Sequence, residues 1–190
     1  MDLITPRTLT LRAETDHGDC VLYVMSRDQR VHDNHALLAA QLTAQRSSLP
    51  LVVAFNVLPR PGDRAKEHLL FMLEGLKQVQ ATLALYNIPF VLSFGKPVET
   101  LAAVFSACKP HSVFYDFNPL PSVRSLQKRL AHSYKANHYV VDTHNIIPCW
   151  QASDKQEFAA HTFRPKVTKL LEKFLIEPPE LQKQQAMPVL

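Results

Sequence analysis

The densest group of side chains able to do chemistry is the stretch MSRDQRVHDNHALL, residues 25–38. It follows the apolar run Val21-Leu22-Tyr23-Val24-Met25 and places Arg27, Asp28, Arg30, His32, Asp33, Asn34 and His35 within one short loop. Arginine offers a planar fork of donors that suits carboxylates, phosphates and other anionic groups. Two arginines where a strand ends therefore point to a polar or anionic partner. Aspartate can tie a turn or hold a ring N–H. Asp33 or Asn34 suits the N-cap of a helix starting near residue 35. His32 and His35 read as half-exposed packing residues. Four more polar groups end apolar runs: Asn56–Arg60, Gly95-Lys96, Asp116–Asn118 and "DTHN" at 142–145. Asp116 and Asp142 each close a strand, where a carboxylate can tie down a loop or meet a ligand.

Several other chemistries lack their residues. The chain has no HExxH, no Cys/His metal spacing and no GxSxG elbow. Its four glycines (18, 62, 75 and 95) form neither GxGxxG nor GxxxxGK[ST]. With no glycine after the first predicted strand, an anionic ligand there would rest on Arg27, Arg30 and a helix N-terminus. Cys149, beside Trp150, reads as a core residue.

These polar groups need a scaffold to bring them together. Five runs read as strands: 20–25, 49–57, 88–94, 112–117 and 138–143. They are continuously apolar, as in a parallel sheet covered on both faces. Helical spacing fills the gaps at 34–46, 66–86, 98–108 and 122–135. The alternation predicts an α/β fold with a Rossmann-like, doubly wound, five-stranded parallel sheet of order 3-2-1-4-5 and helices on both faces. Ligands of such sheets bind at the carboxyl ends of the strands. Residues 1–18 are expected to be an N-terminal extension and 19–150 the α/β domain. Ser153 and Gln156 form a capping box that predicts a helix start. Pro165 should interrupt it, with an amphipathic helix restarting over 166–176. Residues 177–190, opening with "EPPE", predict a linker or tail.

At 190 residues the chain suffices for one domain with a sizeable core. A net charge of +4 and a pI near 9.0 are mildly basic and do not by themselves imply nucleic acid. No apolar run is long enough to span a bilayer, and the N-terminus lacks a secretory pattern. Three scattered cysteines predict a reduced, cytoplasmic protein.

Three stretches resemble the photolyase/cryptochrome family, specifically the α/β domain of class II cyclobutane pyrimidine dimer photolyases. They are MSRDQRVHDNHALL, YDFNPLPSVR (115–124) and VDTHNIIPCWQASDKQEFAAHTFRPKV (141–167), the last being the most specific. The likeness runs from about residue 20 to 176. This chain has His35 where the family usually has tryptophan, Pro121 where it has arginine, and Phe158 and His161 where it tends to have tyrosine and arginine.

The resemblance implies that flavin, lesion pocket and DNA-binding face belong to a following helical domain, so no catalytic residue is assigned here. Segment 151–176 would lead toward that domain, a partner in cis or trans. FAD and DNA would be reached only through it, and no membrane is involved. The α/β domain would bind an antenna chromophore of deazaflavin or folate type, lined by Met25, Arg27, Asp28, Asp116 and Phe117. The face meeting the flavin domain should expose an apolar patch. A stand-alone, photolyase-derived module that binds a planar ligand or a partner protein without catalysis is the alternative.

Overall fold

Side chains along Cys20–Met25 (β2) alternate between two separate cores. Val21, Tyr23 and Met25 join one buried cluster, and Cys20, Leu22 and Val24 join the other. Leu51–Val57 (β3) divides in the same way, with Leu51, Val53, Phe55 and Val57 on the first side and Val52 and Ala54 on the second. A strand fed by apolar side chains on both faces must lie between two helical layers.

Those layers are present in the computed structural model, which describes residues 4–13, 17–58 and 66–185. Arg60, expected in the cluster that ends the second predicted strand, lies outside them. His35–Arg46 (α1) and Lys66–Leu85 (α2) cover the first face, through Leu37, Ala40, Leu76 and Leu83. Pro97–Cys108 (α3) and Pro121–Ser133 (α4) cover the second, through Leu101, Phe105 and Leu130. Phe90–Phe94 (β4), Pro110–Asp116 (β5) and Asn137–Val141 (β6) complete the parallel part of the sheet.

The sheet has six strands rather than the expected five, in the order β1-β6-β5-β2-β3-β4, so the whole sheet departs from 3-2-1-4-5. The added strand, β1 (Thr8–Arg12), comes from the stretch read as an N-terminal extension. It pairs antiparallel with β6, Thr8 opposite Val141 and Thr10 opposite Tyr139. Its sequence, TLTLR, alternates polar and apolar residues, the period of a half-covered edge strand. The five parallel strands run β4-β3-β2-β5-β6.

The C-terminal third also differs from expectation. No helix starts at Ser153, which instead ends the short helix Cys149–Ala152 (α5) in extended conformation. Its hydroxyl donates to Glu157 Oε1 at 2.7 Å and accepts from the Lys155 amide at 3.4 Å, a turn contact rather than a helix cap. Ala160–Phe174 (α6) runs straight through Pro165. The proline lies early in the helix, where its missing N–H leaves only the exposed His161 without that bond. The segment after α6 is docked. Gln182 and Gln41 exchange two bonds of 2.7 Å, and the Gln184 side chain bonds both backbone groups of Leu51, at 3.0 and 3.1 Å. Gln184 thereby satisfies backbone groups at the start of β3 in the manner of a neighbouring strand.

Two buried histidines give this fold a pH dependence. His138 on β6 lies between Tyr115 Oη at 3.0 Å and the Tyr134 carbonyl at 3.1 Å. The carbonyl can only accept, so Nε2 carries the proton and Nδ1 accepts from the tyrosine. Burial lowers the His138 pKa to about 4, opposed by the Tyr134 carbonyl and helped by Arg12. Burial likewise lowers His35 to about 4, with Arg7 adding to it. The unfolded chain binds these protons near pH 6.5 and the folded chain only near 4. Between those values the unfolded state holds more protons, so stability is full above the upper one and falls as pH drops toward the lower. Each histidine contributes up to about 3 kcal/mol. Urea unfolding should show a lower midpoint at pH 4.5 than at pH 7, and the variant H35Q/H138Q should flatten that difference. An unchanged wild-type midpoint would rule out neutral buried histidines as the cause.

Candidate functional site

The loop after β2 is organised by a carboxylate from the neighbouring strand. Asp116, the last residue of β5, is fully buried. Its Oδ2 accepts from the backbone amides of Ser26 at 2.8 Å, Arg27 at 2.8 Å and Asp28 at 3.2 Å, and from Ser26 Oγ at 3.3 Å. Its Oδ1 accepts from the Tyr23 hydroxyl at 2.6 Å. Three successive amides aimed at one point form an anion-binding nest. Here the chain's own carboxylate fills it. Burial pushes the Asp116 carboxyl upward, while Tyr23 and the backbone amides pull it back. Because every partner donates, both oxygens act as acceptors, the role of the ionised form.

A second tier fixes the rest of the loop. Asn34 caps α1 by accepting from Leu37 N at 2.9 Å, and its amide donates toward Tyr23 Oη and the carbonyls of Asp28 and Arg30. Asp33, beside it, takes a left-handed conformation, φ 50°, which aspartate tolerates. Asp28 Oδ1 meets Arg30 at 2.9 Å and His144 Nδ1 at 3.2 Å. Thr143 Oγ1 accepts from Ala36 N at 2.8 Å. The loop after β6 thus closes over the loop after β2.

Beneath this loop, Arg7 joins the edge strand to the C-terminal helix. It is buried, and its guanidinium donates to the carbonyls of Asp142 at 3.2 Å, Asn145 at 2.7 Å and Ile146. Its carbon centre lies 5.4 Å from the Phe174 ring, within cation–π range. Asp142 accepts from the amides of Asn145 at 3.2 Å and Cys149 at 2.9 Å. It ties the chain into α5.

Some groups of the site keep unspent bonding capacity. Asp28 Oδ2 is buried without a hydrogen-bond partner. The Arg27 side chain is half-buried and close enough to Cys149 to pull its thiol down, against the larger upward push of burial. Phe117 meets Trp150 edge to face at 5.4 Å, and Trp150 Nε1 donates to the Pro6 carbonyl at 2.8 Å. Next to the β6 carboxyl end, Asn145, Cys149, Ser153, Phe158 and Phe163 line a hollow of about 460 Å³. That volume lies in the range of small-molecule sites. Phe158 is 90% exposed, and Ile146, Phe163, Leu175 and Ile176 add apolar surface in the same segment.

Of the five residues expected to line a ligand pocket, Arg27 and Phe117 reach the surface, whereas Asp28 is buried with one oxygen unpartnered. Met25 lies within the core, and Asp116 has both oxygens spent, so neither has surface to offer a ligand. His35 is buried rather than half-exposed, with Nδ1 unpartnered. Arg7 and Trp150 went unassigned in the sequence because each acts through a partner more than a hundred residues away.

Together the topology and the carboxyl-edge loops define an α/β domain with helices on both faces of a mostly parallel sheet and its densest polar cluster beside β2, β5 and β6. The DNA photolyase family profile matches residues 21–186. The chain belongs to that family. It is 39% identical over 166 residues to the deoxyribodipyrimidine photo-lyase of Arabidopsis thaliana and 40% identical over 168 residues to that of Potorous tridactylus. These matches cover 85% and 86% of this chain but 33% and 31% of those proteins, so the chain spans about one third of their length. Among solved structures it resembles a Synechocystis cryptochrome, with a TM-score of 0.65 at 15% identity over 84% of this chain and 35% of the other. It also resembles a class III photolyase from Agrobacterium tumefaciens, with a TM-score of 0.62 at 17% identity over 89% and 36%. At such identity these two likenesses speak for the fold.

Asp116 is the residue whose loss the loop can least absorb. Asp116→Asn replaces one acceptor oxygen with a donor in a site where every partner donates. The substitution should destabilise the protein by about 2–4 kcal/mol, read as a lower urea midpoint. A loss below about 0.5 kcal/mol would show that the nest does not hold the loop.

Proposed function

We propose that this chain serves as the α/β domain of a deoxyribodipyrimidine photolyase of class II type, binding an antenna chromophore of deazaflavin or folate type and supporting a helical flavin domain in cis or trans. The observation that carries this reading is the family match over residues 21–186, together with relatives that are deoxyribodipyrimidine photo-lyases by name. The carboxyl edge suits a planar, polar-edged ring. Arg27, partly exposed, offers a guanidinium edge and Phe117 an aromatic face, with Asp28 buried behind them. Met25 and Asp116 stand behind them as support. The chromophore's contribution is light absorption and excitation transfer; this chain's residues bind, orient and shield it. Ile146, Phe158 and Leu175 are exposed on the segment leading out of the α/β layers, where a flavin domain would bury them. Repair chemistry, FAD and a lesion pocket belong to that domain in this proposal.

A spectral titration tests it. The purified chain, mixed with a deazaflavin or a reduced folate, should give saturable changes in near-ultraviolet to blue absorption and in fluorescence. Arg27→Ala should weaken that binding by about tenfold, an expected loss of about 1.4 kcal/mol. No change with either chromophore class would refute antenna binding by this chain.

A further inference from the structure

The second helical layer carries a surface that the carboxyl edge does not use. From Phe117 to Val141 the sequence contains no aspartate or glutamate, yet it holds Arg124, Lys128, Arg129 and Lys135. All four are exposed. Elsewhere, Arg30, Lys77, Lys96 and Lys166 each sit beside a carboxylate. None of Arg124, Lys128 and Arg129 has an ion-pair partner among the described residues. A merely solvated helix face usually mixes charges of both signs. This one carries a single sign.

The helix ends reinforce that sign. α4 starts at Pro121 with no acidic residue in its first turn, so the positive end of its dipole stays unneutralised. At the other end Arg12 of β1 donates to the carbonyls of Ala131 at 2.7 Å and His132 at 2.9 Å. A guanidinium thus covers the end where the dipole would turn negative. Between α4 and Val98 at the start of α3 lies a hollow of about 790 Å³, lined by Arg124, Lys128, Arg129 and His132. Leu130 at its base is packed in the core, and Val98, Pro121 and Tyr134 give the hollow an apolar side. The charged groups that line it are all cationic.

The spacing suits a polyanion. Arg124 and Lys128 stand four residues apart on one helix face, a rise of about 6 Å, with Arg129 the next residue on. A nucleic-acid strand carries one phosphate charge per about 3.4 Å of axis, so cations at that separation can each meet a phosphate of their own. We propose that the exposed face of α4 is a phosphate-backbone contact surface for nucleic acid, with Arg124, Lys128 and Arg129 as its phosphate-binding side chains. It goes beyond the function proposed above, in which DNA is reached through the flavin domain. The surface reads charge and spacing rather than base sequence, and its affinity falls as salt rises.

Fluorescence anisotropy of a labelled oligonucleotide of about 20 bases, single-stranded and duplex, titrated with the full chain at about 50–200 mM salt, tests this. Saturable binding is expected, with log Kd rising against log salt at a slope of about 2–3. R124Q/K128Q/R129Q should weaken binding more than about fiftyfold and flatten the slope, while the charge-matched K77Q/K155Q/K169Q stays within about twofold. The single variants R124Q and R129Q, each expected to lose about five- to tenfold, keep the test decisive if the triple variant is less stable. Absence of binding at the lowest salt overturns the proposal. So does equal loss in both triple variants, which would make total charge the cause. Binding of polyglutamate as tight as that of the oligonucleotide would also overturn it, assigning the face to an acidic protein.

Discussion

A buried carboxylate cannot remain without donors, and three consecutive amides at a strand end cannot remain without acceptors. Asp116 and residues 26–28 solve both problems together. The pairing works because β5 lies directly beside β2 in the sheet, with Tyr115 opposite Val24, so the end of one strand faces the loop leaving the other. Much follows from it. Tyr23 is drawn into the same site, Asn34 reaches Tyr23, and the cap of α1 is thereby referenced to the sheet. The turn leaves Asp28 inside the protein, where Arg30 and His144 meet it.

The loop resembles a phosphate cradle, yet its amides are already satisfied from within. Any ligand at this edge would therefore have to be held by side chains, and Arg27 and Phe117 are the ones that reach the surface there. The polar groups nearest the sheet are structural. Arg7 extends the same logic to the C-terminal helix: its charge is spent on three carbonyls and one aromatic face. The exposed apolar residues around α6 are consequently presented on a fixed element rather than on a loose end.

Periodicity made the parallel core readable. The runs 20–25 and 112–117 anticipate β2 and β5 closely, since strands buried on both faces need continuous apolar sequence. The α1 cap was also legible, as Asn34 precedes the first apolar helical residues. The edge strand was harder, because five alternating residues at a chain start carry little signal without the β6 edge that receives them. Ser153 misled for a related reason: a capping box is local, and here Glu157 of the α5–α6 connection and Lys166 of α6 capture the serine hydroxyl. Asp116 was recognised as important, but its use was not decided by sequence. Whether a carboxylate faces a ligand or its own chain depends on which amides the neighbouring strand delivers.

Amide hydrogen exchange of residues 26–28 tests the organising role of Asp116 most directly. If the nest is filled from within, the amides of Ser26, Arg27 and Asp28 should exchange slowly, with protection approaching that of β2 and β5, although they lie in a loop beside exposed residues. Exchange of these three amides at the rate of an unprotected loop would contradict the account, because the carboxylate would then not be holding the turn.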